Sequence, residues 1–190
     1  MACLWIAGKT SPNRHFAIAA MRRVCEAGKT MRHNTIASIT LDEATIIARN
    51  ADVEGERAVA LRDLVEENHF APAQALARGQ TGPWALHLSV IDGRLVVNLR
   101  DHTGVDAGTI GLGMARLRRV IRDYFAICDS YYKALRKATA AEIETLDMAR
   151  RAIHDRGTRA LLEILEGKVE TDFDSARRLF TLICVLHIKG

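Results

Sequence analysis

Residues 84–101 read Trp84-Ala85-Leu86-His87-Leu88-Ser89-Val90-Ile91-Asp92-Gly93-Arg94-Leu95-Val96-Val97-Asn98-Leu99-Arg100-Asp101, two alternating runs joined by Asp92-Gly93. Asp-Gly suits a two-residue type I′ turn, whose central residues both take φ > 0. With Ile91 opposite Arg94, Val90 pairs with Leu95, Leu88 with Val97 and Leu86 with Leu99, so one face is wholly apolar. The other face sets His87 across from Asn98 and Ser89 across from Val96, with Arg100 nearby. The spacing predicts a β-hairpin whose apolar face needs a cover.

Helices on either side can supply it. Downstream, Met114, Leu117, Ile121, Tyr124, Cys128, Tyr131 and Leu135 recur at 3,4 spacing, a heptad seam on a helix from Met114 to about Lys137. Thr139 and Glu142 form a capping box for the next helix, which Gly157 is expected to interrupt or kink and Gly167 to end. Asp172 caps a last helix, Phe173 to about His187, with Phe173, Ala176, Phe180 and Ile183 as its stripe. Leu179 to Leu186 carries no charge, which places it deep in a core or at a subunit interface. Upstream, the β-branched run Asn34 to Leu41 suits a strand, and Asp52 caps a helix to about Asn68. Pro72 bars helix continuation, so Ala71 to Gly82 reads as a surface loop, as does the glycine-bearing stretch His102 to Gly113. The fold class is therefore α+β: a small antiparallel sheet built on the hairpin at about 84–101, packed against several helices.

A chain of 190 residues with 48% hydrophobic and 26% charged residues can bury a substantial core, and 31–190 is expected to form a single globular domain. Four cysteines without close pairing point to reduced thiols and a cytoplasmic protein. The net charge of +4 sits in residues 1–30, where Lys9, Arg14, Arg22, Arg23 and Lys29 oppose only Glu26. That segment is expected to be a flexible basic leader or, preferably, to precede a true start at Met31. No run is long enough for a membrane span.

Candidate chemistry is sparse. Arg118, Arg119, Arg122, Lys133, Arg136 and Lys137 share one arc of the seam helix, nearly opposite the apolar one, and could hold an acidic protein partner, a second copy of the chain, or phosphates. The same face could dock on residues 42–67, which hold eight acids against three bases. His87, Asn98 and Arg100 on the polar hairpin face are the candidate catalytic set, a base and two binding groups for an anionic or phosphorylated substrate. Cys128, mid-seam, reads as a small buried hydrophobe. Gly108-Thr109-Ile110-Gly111-Leu112-Gly113 has the wrong glycine order for a dinucleotide loop and lacks the Lys of a P-loop. Glu66-x-x-His69 and Cys184-x-x-His187 are each half of a metal site with no second half, so no metal or cofactor is expected.

The phrases TLDEATI near 40, ERAVALRDLVEENHF from Glu56, LHLSVIDGRL from Leu86, RRVIRDYFAICDSYYKAL from Arg118, DMARRAIH from Asp147 and DFDSARRLFTLICVLH from Asp172 together resemble uncharacterised protein family 0262, small bacterial proteins described chiefly from alphaproteobacteria. The resemblance covers about 150 residues, from Ile39 to the C-terminus, and implies no activity, cofactor or catalytic residue. Family members begin near Met31, in keeping with the late start, and the glycine-rich stretch is outside the shared pattern. The leading expectation is a non-enzymatic interaction or regulatory protein using the basic helix face. The alternatives are a small enzyme at the hairpin face and a nucleic-acid binder.

Overall fold

The structure is a computed structural model and describes residues 33–42 and 51–186, all within the unit Arg32–Gly190. The leader at 1–30 and the half-site histidine at 187 lie outside the described residues. The elements run β1 (Ile36–Leu41), α1 (Ala51–Glu66), β2 (Phe70–Pro72), α2 (Ala73–Ala77), β3 (Trp84–Ile91), β4 (Arg94–Arg100), β5 (Asp106–Gly113), α3 (Ala115–Ala134), α4 (Ala140–Leu165), β6 (Val169–Thr171) and α5 (Phe173–Leu186).

The hairpin forms in the expected register, from Ile91 opposite Arg94 to Leu86 opposite Leu99. Asp92 (φ 50°) and Gly93 (φ 71°) make its turn. The fold class is α+β, and the sheet is larger than the hairpin, with order β1-β3-β4-β5. It is also mixed rather than antiparallel, because β1 joins β3 in parallel. β5 is the main departure from the sequence reading: the glycine-rich stretch taken for a loop is a strand antiparallel to β4. Its glycines weaken strand propensity, but Ala107, Ile110 and Leu112 still continue the apolar face, and pairing to an established neighbour overrides propensity. The expected loop at 71–82 likewise contains β2 and the short α2, with β2 paired to β6 in a second, two-stranded sheet.

One sheet face is covered by helices, a two-layer arrangement. Leu86, Leu88, Leu95 and Val97 meet Leu161 and Leu165 of α4 and Leu179 and Ile183 of α5. Within the helical layer α1 packs on α5, α5 on α4, and α4 on α3, so the order is α1-α5-α4-α3. α5 is buried nearly all round, as its uncharged run predicts, although Phe173 at its start is exposed and leaves the expected stripe. The seam of α3 is buried at Met114, Leu117, Ile121, Tyr124 and Cys128, half-buried at Tyr131, and open at Leu135, just past the helix end. Thr139 and Glu142 form the expected capping box, and Asp172 accepts from the Ser175 amide at 2.7 Å. α1 begins at Ala51, which puts Asp52 inside its first turn rather than at the cap.

Gly157 neither interrupts nor kinks α4. It is buried in an unbroken helix, where a Cβ would collide with three ring atoms of the fully buried Phe180. The glycine is there so that α5 can press its largest side chain against the α4 backbone. Gly157→Ala should therefore cost about 1–3 kcal/mol through overpacking, reversing the sign of the ~1 kcal/mol that Ala normally contributes over Gly in a helix. Urea unfolding of Gly157→Ala checks this, and adding Phe180→Leu should recover part of the loss.

Candidate functional site

A wide concavity lies over α5 in the helical layer. Asp174, Arg177, Arg178 and Thr181 are the α5 residues that line it. Gly55, Val59, Ala60 and Asp63 of α1 form one wall; Tyr124 and Tyr132 of α3 with Arg150 and His154 of α4 form the other. The groove encloses about 690 Å³. It takes shape because α5 is sunk between longer neighbours and turns its few polar residues outward.

His154 is its most unusual group. It is 5% exposed, its ring set edge-on to Tyr124 (centroids 5.0 Å apart) and Phe180 (5.2 Å). Nε2 lies 2.9 Å from Thr181 Oγ1, a hydroxyl that is also 3.3 Å from the Arg177 carbonyl one turn earlier. Nδ1 is buried and has no hydrogen-bond partner among the described residues. Burial, reinforced by the Arg177 and Arg150 charges against that of Asp155, lowers the imidazole pKa to about 4. His154 is thus neutral at pH 7.

The arginines around it are held in defined poses. Arg150 donates through Nε and Nη2 to Asp147 at 3.2 and 2.8 Å and lies over the Tyr131 ring, 5.2 Å from its centroid. Burial opposes the Arg150 charge, but Asp147 and Tyr124 more than restore it. The Arg150 bond, with Arg151 on the other oxygen, holds the Asp147 carboxyl below its usual range. Arg177 pairs with Asp155 at 2.5 Å. Arg178 donates to the Glu67 carbonyl at 2.6 Å and has no carboxylate partner among the described residues.

The three residues expected at the hairpin face do come together. His87, Asn98 and Arg100 line a depression of about 480 Å³ on the uncovered side of the sheet, with Ser38 and Thr40 from β1 and Thr109 and Asp106 from β5. Thr40 Oγ1 lies 2.9 Å from His87 Nδ1, Thr109 donates to Asn98 Oδ1 at 2.9 Å, and Arg100 donates to the Gly104 carbonyl at 3.0 Å. Asp106, the carboxylate of this depression, accepts from the Gly108 amide at 2.7 Å. Thr40 could not be placed from the sequence because the parallel pairing of β1 with β3 leaves no local trace.

The six cations of the seam helix are all exposed, four on α3 and Arg136 and Lys137 in the turns after it. Lys133 pairs with Asp129 at 2.6 Å, and Arg118 reaches the hairpin turn at Gly93. Among the described residues Arg118, Arg119, Arg122, Arg136 and Lys137 have no carboxylate partner. The acidic segment that might have neutralised them includes α1, at the opposite edge of the helical layer.

The described residues contain no cluster of three metal-ligating side chains, and no described helix is long and apolar enough to cross a membrane. His69 lies beside Glu170 at 3.8 Å rather than completing a site with Glu66, and Cys184 is buried in the core.

The His154 shift has a measurable consequence. The unfolded chain takes up its proton near pH 6.5, whereas the native state resists until about 4. Stability attributable to His154 is complete above pH 6.5 and falls as pH drops towards 4, by up to about 3 kcal/mol. Asp147 and Asp172, whose native carboxyls are lowered, lose their contributions only below the ordinary carboxylate range, under this window. Urea unfolding of His154→Gln at pH 7.5 and 4.5 should show a flatter pH dependence than the parent chain. An equal slope in both would show that His154 is not the group titrating.

A model of the uncharacterised protein family UPF0262 matches residues 33–189. A UPF0262 protein of Erythrobacter litoralis is 61% identical over 160 residues, covering 84% of this chain and 100% of the relative. One of Novosphingobium aromaticivorans is 60% identical over 159 residues (82% and 97%), and one of a Bradyrhizobium species 52% over 159 (84% and 93%). No solved structure matches the chain. With a family model spanning 33–189 and relatives of this identity matched nearly end to end, the chain belongs to the uncharacterised protein family UPF0262.

Proposed function

We propose that this chain is a non-enzymatic, cytoplasmic interaction protein that holds an acidic protein partner on the exposed face of α3, centred on Arg118, Arg119 and Arg122. The observation that carries the reading is the absence of any carboxylate partner for these three arginines among the described residues. A helix that needed its cations only for solubility would more commonly interleave them with acids, as the following helix does with Asp147, Arg150 and Arg151. Arginine also suits a carboxylate surface, since its planar fork donates to both oxygens at once.

A photo-crosslinking residue at position 119, introduced in the native host, should join the chain to a protein through an acid-rich peptide. Arg118→Ala with Arg122→Ala should weaken the purified pair about 3- to 10-fold, the scale of two exposed charge pairs. His87→Ala should leave it unchanged. Crosslinks to nucleic acid with a steep salt dependence would replace this reading with phosphate binding. Crosslinks indifferent to the arginine changes would remove it.

A second reading, capture of a small anionic ligand in the groove, is favoured by the unpartnered Nδ1 of His154, buried in the same groove that Arg178 lines. If it holds, small hydroxy-acids or phosphorylated sugars should raise the melting temperature with concentration, and Arg178→Ala should abolish the shift. A panel that produces no shift in the parent chain would eliminate it.

A further inference from the structure

Between Cys128 and His154 no side chain is buried. This stretch comprises the end of α3, the connecting turns and the first half of α4, two antiparallel helix segments that touch the core at Tyr132 and Ile153. Its apolar residues are nevertheless placed as a packing surface: Tyr131, Ile143, Leu146 and Ile153 are half-buried, while Leu135 and Met148 are 50% and 60% exposed. Leu135 continues the 3,4 spacing of the α3 seam just past the helix end, where it is half exposed. Two helices pressed together can close only the line between them and leave both flanks of that line wet. Closing the flanks takes further helices, which is why such pairs are usually found in bundles.

We infer that this arm is a self-association surface, two copies laying their arms together about a twofold axis as an antiparallel four-helix bundle. The choice of a second copy rests on charge. The turn after α3 carries Arg136 and Lys137, which have no carboxylate partner among the described residues, and the start of α4 carries the exposed Glu144. A twofold axis brings the same patch of each molecule against its mate, so a surface basic at the end of one helix and acidic at the start of its neighbour matches itself when the α3 end of one copy lies against the α4 start of the other. The serine and charge changes below fall on exposed side chains, so they can alter association without emptying the core. The surface lies past Cys128, beyond the Arg118–Arg122 centre of the acidic-partner reading, and different variants test the two.

Sedimentation velocity on the full chain from about 1 to 100 µM, the range of modest interfaces, should show the mass rising from 21.0 kDa towards twice that value. Leu135→Ser with Met148→Ser should hold the chain at 21.0 kDa with an unchanged circular dichroism spectrum. Arg136→Glu with Lys137→Glu should weaken the dimer about tenfold, and adding Glu144→Arg should recover most of the loss. A parent chain that stays monomeric throughout the range overturns the inference, as does a dimer indifferent to the serine pair. A dimer broken by the serines but indifferent to charge reversal overturns the twofold pairing.

Discussion

The contact between Phe180 and the bare backbone of Gly157 is the constraint on which the rest of the molecule depends. It lets α5 sink between the sheet and α4 until its apolar residues are covered from every side. A helix buried that far has one narrow strip left for polar side chains, and Asp174, Arg177, Arg178 and Thr181 occupy it. The groove and the burial of α5 are therefore one feature seen from two sides. Changing the helix separation to accommodate a methyl at 157 would move the groove's floor relative to the wall that carries Arg150 and His154.

The other wall is fixed by polar groups. Asn68, just past α1, accepts from the Ile36 amide at 2.6 Å and donates to the Ile36 and Leu64 carbonyls, tying the helix end to β1 where the parallel ladder bulges. One residue later the His69 amide donates to Ser175 Oγ, and that hydroxyl donates to Asp172 at the start of α5. Burial pulls the Asp172 carboxyl upward, but the Ser175 bonds outweigh it and keep the carboxylate charged. With Thr171 donating to the His69 carbonyl and β2 paired to β6, the end of α1 and the start of α5 are stapled together. α1 thus has little freedom to close over the groove by itself.

What could be read from the sequence follows from how local each signal is. The hairpin was legible because strand period, turn dipeptide and register are all set within one short stretch, and the capping box at Thr139 is set within four residues. β5 was not legible, because glycine removes the side-chain alternation that marks a strand and the pairing to β4 supplies what propensity lacks. Gly157 misled for a related reason: a helix-weakening residue is indistinguishable in sequence from one that admits a neighbouring ring. The same division holds for the sites. The basic arc of α3 needs only a helical wheel, whereas the groove assembles side chains from four helices. Its sequence trace is no more than i, i+4 spacings such as Arg150 with His154 and Arg177 with Thr181, which any helix face would show.

The order of the helical layer also settles where the α3 charges can find their counter-charges. α1 and α3 are separated by α5 and α4 in the order of packing. Among the described residues no carboxylate of α1 pairs with Arg118, Arg119 or Arg122, and attraction between exposed charges fades beyond the ~8 Å screening length at physiological ionic strength. Within the described residues the mutual repulsion of these arginines is met by solvent and counterions alone, a state that any carboxylate-bearing surface able to reach α3 would improve on.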